Sequence, residues 1–277
     1  MEDLRSSLIL YAYNILGSYE ESKDVVQDAL LKMMQMNHEE VRDERLYLIR
    51  MVINKAIDQK RKQQRERSHY PGQWLPEPVA TDDPETSVFR KEVLSYSLMV
   101  LLEKLDTKQR AVFILKEAFD YDHEEIAEVL GISVENSRKI LSRARSELKT
   151  SSVPRNAKQQ LTSIQRYMSA LQNGDMKELE QLLATEITVV SDGGGKATAF
   201  INPIRGVKAV RSLLVGLYKK AFNKAFTELR WLNNQPALFY YHEGDLVAIQ
   251  IFSLYEQQFE NIFYIRNPDK MINLKKD

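Results

Sequence analysis

The sequence predicts a multidomain chain in which two all-α helical blocks precede an α+β domain. Three observations predict it. Apolar residues recur at helical spacing through most of the first 149 residues, and strand-like runs gather only after Phe226. Tyr70–Pro84 (YPGQWLPEPVATDDP) holds four prolines and a glycine, and Thr150–Pro154 is short and polar, so both read as breaks between folded segments. At 277 residues, two domains or three small ones are expected.

The elements follow in order. Leu4, Leu8, Tyr11, Ala12 and Ile15 share one helical face that ends at Gly17. A second helix starts at Ser18, with Glu20 and Glu21 favourable in its first turn, and buries Val25, Val26, Ala29, Leu30 and Met33. A third runs from Asp43 to Arg67, apolar in its first half and basic in its second. A further helical block spans Ser87–Lys149. Beyond residue 156, helices are expected over Gln159–Leu171, Met176–Leu183 and Val207–Phe222. Strands are expected over Phe226–Leu232, Leu238–His242, Leu246–Tyr255 and Phe259–Ile265, with a turn at Glu243-Gly244-Asp245. Helices first and strands later imply a curved antiparallel sheet.

Composition narrows function. The chain is 43% hydrophobic and 28% charged, ordinary for a globular protein. With no cysteine, disulfides, thiolate-zinc sites and thiol redox sensing are excluded. The opening MEDLRSSLILYAYNILGSYEE lacks a basic n-region and a small-residue cleavage site, and no apolar run approaches the roughly 18 residues of a membrane span. A cytoplasmic location is expected, with no metal and no cofactor. Formal net charge is zero, so the distribution of charge carries the information. Lys55–Arg67 holds six Lys/Arg against two acids and Arg138–Lys149 five against one, whereas Glu20, Glu21, Asp24 and Asp28 form an acidic patch. Two nucleic-acid contacts and a third surface with a different partner are implied.

The stretch Tyr121–Leu148 (YDHEEIAEVLGISVENSRKILSRARSEL) has helix-turn-helix spacing. Ile126, Ala127 and Leu130 form a packing face, Gly131 permits the tight turn, and Ser133 caps the next helix. Val134, Ile140 and Leu141 pack back. Arg138, Lys139, Ser142, Arg143 and Arg145 cover the outer side, as a helix entering a major groove requires. A solvated amphipathic helix is the alternative. Asp106 or Thr107 caps the bracing helix before it.

Two blocks read together carry a resemblance. GSYEESKDVVQDALLKM with RLYLIRMVINKAIDQKRKQQR, then LLEKLDTKQRAVFILKEAFDYDHEEIAEVLGISVENSRKILSRARSEL, resembles regions 2 and 4 of the extracytoplasmic-function sigma-70-type sigma factors over nearly all of residues 1–150. The resemblance implies a region 2 bundle (1–69), a linker (70–86) and a region 4 helix-turn-helix (87–150). It implies docking on core RNA polymerase through Asp24, Gln27 and Asp28, polar groups suited to a charge-complementary contact. It implies capture of the promoter −10 element by Tyr47, Asn54, Lys55 and Asp58. Tyr47 would stack on an unpaired base, or else fill core space, and Asn54 would hydrogen-bond a flipped one. Arg61, Lys62, Arg65 and Arg67 would track phosphates. Arg138, Lys139, Ser142, Arg143 and Arg145 would read the −35 element.

The remainder resembles one subgroup of these factors, which carries a fused SnoaL-like domain of the NTF2-like superfamily, an α+β cone, here over 156–277. Its marks are WLPEP (Trp74, Leu75, Pro76, Glu77, Pro78), DGGGK (Asp192, Gly193, Gly194, Gly195, Lys196) and NPDK (Asn267, Pro268, Asp269, Lys270). His69-Tyr70-Pro71-Gly72-Gln73 departs from the subgroup's more usual Tyr-Val-Gly-Pro, and Met271 stands where Leu is common. The resemblance implies that the attachment contacts the linker, tunes activity and replaces a separate anti-sigma factor. The glycines of DGGGK allow positive φ and close backbone approach, and they lack phosphate-loop spacing. The cone implies a pocket, with Trp231, Tyr240, Tyr241, His242 and Tyr255 as candidate lining residues and an unknown small ligand as a possible occupant. No carboxylate pair or His–Asp spacing marks catalysis, so no enzyme is expected. A ligand-responsive helix-turn-helix regulator and a pocket enzyme are the alternative readings.

Overall fold

Side-chain caps open the N-terminal helices where the sequence places them. The computed structural model describes residues 2–36, 43–81, 93–148 and 157–274. The expected hinge Thr150–Pro154, Lys149 and the start of the second helical block lie outside them. Helix α1 spans Glu2–Leu16 and α2 spans Tyr19–Met34, capped by Ser18, whose Oγ accepts from the Glu21 amide. Helix α3 spans Glu44–Glu66 and is capped by the Asp43 carboxylate on the Leu46 amide at 2.9 Å. After the linker come α4 (Tyr96–Leu101), α5 (Thr107–Glu117), α6 (His123–Leu130) and α7 (Val134–Leu148). Asp106 and Gln109 form a reciprocal capping box on α5, and Asp122 and Glu125 form another on α6. Gly131 closes α6 at φ 62°, the left-handed conformation a helix C-terminus favours. The Ser133 hydroxyl accepts from the Asn136 amide at 3.2 Å at the start of α7.

The chain divides into two compact units, 1–68 with 84–94 and 98–151, and 69–83 with 95–97 and 152–277. In the first unit both helical blocks share one apolar core. Leu8, Ile15, Val26, Val52 and Ile53 of α1–α3 join Val112, Leu115, Ile126, Val129 and Leu141 of α5–α7.

The second unit contains α8 (Ala157–Asn173), α9 (Met176–Leu182), β1 (Leu183–Asp192), β2 (Ile204–Arg205) and α10 (Val207–Lys220). Strands β3 (Phe226–Leu232), β4 (Gln235–His242), β5 (Asp245–Tyr255) and β6 (Gln258–Ile265) follow. The sheet order is β2-β1-β6-β5-β4-β3. The α+β class is as expected, but the sheet is mixed and not antiparallel throughout, because β1 and β6 run parallel. The reason is topological. Three hairpins make β3–β6 a meander, and β1, separated from it by α10, joins the free edge of β6. Each hairpin turns on two residues with positive φ: Asn233-Asn234, Glu243-Gly244 and Glu256-Gln257. This twist suits tightly connected strands. Tyr167, Leu179, Val189, Phe252 and Phe259 lie in the apolar core between helices and sheet.

Candidate nucleic-acid interface and linker clasp

Asp24, Gln27 and Asp28 are exposed on one face of α2, at i, i+3 and i+4. The same face continues into Leu31, 50% exposed, with Met34 at 78% beyond it. Exposed large apolar residues beside a polar stripe fit a docking surface, and the sequence reading passed over both. On α3, Tyr47 is half-buried and its hydroxyl meets Met36 Sδ at 3.4 Å. Asn54 is exposed, yet its Nδ2 lies 3.4 Å from the Val129 carbonyl oxygen of α6. Lys55 pairs with Asp28 at 3.2 Å and Arg61 with Asp58 at 2.9 Å. Lys62 and Arg65 point to solvent. On α7, Arg138, Lys139, Ser142, Arg143 and Arg145 are all exposed, while Leu141, Ala144 and Leu148 face the core. Three of these cations rest on exposed carboxylates: Arg138 on Glu124, Lys139 on Glu135 and Arg145 on Glu117. Solvent-exposed pairs of this kind are weak and exchange readily for phosphate.

Arg67 is a correction. It does not join the exposed basic face but turns into a buried cluster with Lys60 and Arg110, all three on the Glu103 carboxylate. Lys60 also donates to the Leu16 carbonyl oxygen at 2.9 Å, and Arg110 Nε to that of Asn14 at 2.9 Å. Desolvation opposes ionised Glu103, but Arg110, Lys60 and Arg67 outweigh it and hold the carboxyl well below its usual range. Burial, then neighbouring Arg110, pushes the Lys60 ammonium well below the usual lysine range. Helical periodicity hides this cluster, since it shows only that Lys60 and Arg110 fall on inward faces.

In the second unit the three short motifs converge. Asp192, fully buried at the end of β1, accepts from Tyr70 Oη at 2.6 Å, the Leu75 amide at 2.9 Å, the Gly194 amide at 3.0 Å and Lys270 Nζ at 2.6 Å. Its backbone carbonyl accepts from the Arg266 and Asn267 amides. Lys270 also donates to the Leu75 carbonyl oxygen, and its ammonium sits 4.2 Å from the Trp74 ring centroid. Asn267 Nδ2 reaches Tyr70 Oη at 3.1 Å, and Lys196 pairs with Asp269 at 2.5 Å. Burial and the adjacent Asp192 carboxylate raise the Tyr70 phenol well above its ordinary range. The glycines have steric reasons. A Cβ on Gly194 would lie 2.3 Å from Asn267 Nδ2, and one on Gly195 would lie 2.8 Å from Pro71 Cγ.

Leu75, Pro76, Glu77 and Pro78 are buried against this unit. The Tyr96 hydroxyl donates to the Pro76 carbonyl oxygen at 2.8 Å, and Asn273 Nδ2 approaches Glu77 Oε1 at 3.4 Å. Beyond them the chain pairs with the β3–β4 turn. Asn233 N donates to Val79 O and Thr81 N to Trp231 O, each at 2.9 Å, around an antiparallel bridge of Ala80 with Leu232. The proline-rich segment is therefore extended, as read, and Tyr70–Thr81 is docked along the second unit, in keeping with the linker contact that the resemblance implies.

This unit also holds a cavity of about 550 Å³. Of the five expected lining residues, His242 alone borders it. Tyr240 is buried on Gln250 at 2.6 Å, and Tyr255 is exposed at a strand end. Strand alternation accounts for Tyr241, which cannot face the same side of the sheet as its neighbour His242. Tyr167, held by Gln250 and pushed up by burial to about 12, is part of the interior network. Among the described residues no cluster of His, Cys, Asp or Glu could hold a metal, and no helix is long and apolar enough to cross a membrane.

Comparison with known proteins fits this geometry. The model of sigma-70 region 2 matches residues 1–66 and that of sigma-70 region 4 matches 95–148. The chain is 32% identical to the ECF RNA polymerase sigma factor SigJ of Mycobacterium tuberculosis over 228 residues, 79% of this chain and 72% of that one. It is 25% identical to the probable sigma factor SigI of the same species over 185 residues, 65% of this chain and 64% of that one. The crystal structure of M. tuberculosis SigJ superposes with a TM-score of 0.80 at 28% identity, covering 98% of this chain and 96% of that one. With both regions matched in order and a relative similar across most of its length, the chain belongs to the extracytoplasmic-function sigma factors, which bind core RNA polymerase and direct promoter-specific transcription initiation.

Proposed function

We propose that this sigma factor is restrained in cis by its C-terminal unit through the clasp at Asp192. The observation that carries the reading is the docked linker. The segment joining the two promoter readers is held by Tyr70, Leu75 and Val79–Thr81 on the second unit. Elements at −10 and −35 lie roughly 25 base pairs apart, on the order of 80 Å of duplex at about 3.4 Å per pair. In the first unit the two readers share one core, and Asn54, the proposed −10 reader, rests on Val129 of the other block. The helical blocks must separate to engage both elements, and only slack in the linker permits it. Docking Tyr70–Thr81 withholds roughly 40 Å of extended reach at about 3.4 Å per residue.

Asp24, Gln27 and Asp28 then face core polymerase. Tyr47, Asn54, Lys55, Asp58, Arg61, Lys62 and Arg65 serve the −10 element, and Arg138, Lys139, Ser142, Arg143 and Arg145 the −35 element. The restraint acts in cis, in the cytoplasm where polymerase and promoter reside. The cavity beside the clasp admits a small ligand and is not an active site. Reconstituted transcription with core polymerase tests the reading. Deleting the chain from Asn267 onward should raise promoter-dependent initiation, whereas ending it at Arg155 should alter polymerase binding. Unchanged initiation on the tail deletion removes the restraint reading. Tight, specific duplex binding without polymerase would favour the simple helix-turn-helix regulator.

A further inference from the structure

The cavity of the second unit has an apolar wall and a cationic side. Phe200, Leu217, Phe222 and Val247 line it, Lys220, Lys224 and Arg266 border it, and no carboxylate among the described residues does. Two polar atoms on its lining residues are buried without a hydrogen-bond partner among the described residues, Ser191 Oγ and Arg266 Nε. Ser191 is 2% exposed. Ser191 stands opposite Tyr264 in the parallel β1–β6 pair, and Arg266 is two residues beyond Tyr264. The register puts Ser191 and Tyr264 side by side on one face of the sheet, and both line the cavity together with Arg266 just past the end of β6. Arg266 is oriented by one donated bond, Nη1 to the Thr198 carbonyl oxygen at 2.6 Å, which leaves Nε–H unspent.

An orphaned guanidinium N–H and an orphaned hydroxyl on the lining of one cavity signal a missing partner. Both can donate, so that partner is an acceptor. Because it sits beside Arg266 and two lysines, a negative charge is favoured, and a planar carboxylate suits a guanidinium edge. The aromatic and aliphatic wall requires an apolar body, and about 550 Å³ lies within the range of small-molecule sites.

We propose that this cavity binds an amphipathic monocarboxylate, its carboxylate on Arg266 and Ser191 and its apolar body against Phe200, Leu217 and Phe222. The consequence for regulation rests on the cis-restraint reading. Ser191 and Arg266 are chain neighbours of Asp192 and Asn267, so occupancy of the cavity bears directly on the residues that hold the linker. Binding itself does not rest on that reading.

Isothermal titration of the full chain with decanoate and 2-naphthoate, against 1-decanol and decyltrimethylammonium below their micellar concentrations, tests the assignment. At least one carboxylate should bind saturably and at least tenfold more tightly than the alcohol, with no binding of the cation, since a hydrogen bond to a charged group carries that much or more. Arg266→Gln should erase the preference for the carboxylate while leaving alcohol binding within about twofold. If that variant fails to fold, the rim pair K220Q/K224Q decides, with a weaker carboxylate preference expected. No saturable carboxylate binding, binding indifferent to the head group, or a preference unchanged in the variants overturns the proposal. None of these outcomes touches the transcription test, so either reading can fail while the other stands.

Discussion

Asp192 is the centre of the clasp that joins β1, the linker and Lys270. Its carboxylate takes four donors, two of them from the linker, and Lys270, whose side chain is 11% exposed, has it as its ion-pair partner. Asp192→Asn should cost about 3–5 kcal/mol, because breaking a buried pair leaves a charge uncompensated. Denaturant unfolding measures the loss, and hydrogen exchange should show Tyr70–Thr81 losing protection first. An unchanged exchange pattern would mean the linker is held by the Val79–Thr81 pairing alone. Gly194→Ala acts on the same place by shape. It meets Asn267 and must hold φ 61° with a side chain, so a loss of about 1–3 kcal/mol is expected in the same measurement.

Among the elements, α3 and α5 are joined through Glu103, and the cluster has a definite pH signature. The Glu103 carboxyl is depressed in the folded state, so the unfolded chain binds the extra proton. Its stabilisation is complete above the unfolded carboxyl value near 4.5 and is lost as pH falls toward the lower folded value. Glu103→Gln leaves Lys60, Arg67 and Arg110 facing one another, with about 3–5 kcal/mol lost at neutral pH and a flatter acid limb of the stability curve. Urea midpoints between pH 3 and pH 7 check both; an acid limb as steep as in the parent chain would remove Glu103 as its source. Helix α7 carries a different prediction. Arg143→Ala should leave stability within about 0.5 kcal/mol, since the side chain is exposed. It should also lower the salt dependence of holoenzyme binding to promoter DNA by about 0.9 in the log–log slope, if Arg143 neutralises one phosphate. An unchanged slope would place Arg143 off the duplex.

For the molecule as a whole, the chain's own order of residues determined which helices form, where they are capped and which side chains face outward. Ser18, Asp43, Asp106, Gly131 and Ser133 act locally, through one hydrogen bond or one backbone angle, and local signals are legible in a single sequence. The exposed bases of α7 and the acids of α2 were legible for the same reason, as helical spacing assigns faces. Tertiary structure alone decided the rest. It turned Arg67 inward, ran β1 parallel to β6, faced the cavity with Ser191, Tyr264 and Arg266, and set the individual bonds by which the linker docks, a contact that the resemblance implies without its geometry. Those outcomes join residues up to 197 positions apart, as in the bond of Asn267 to Tyr70. No local periodicity encodes such a pairing. It is selected only when burial makes an unsatisfied charge or amide more costly than closing the loop that satisfies it.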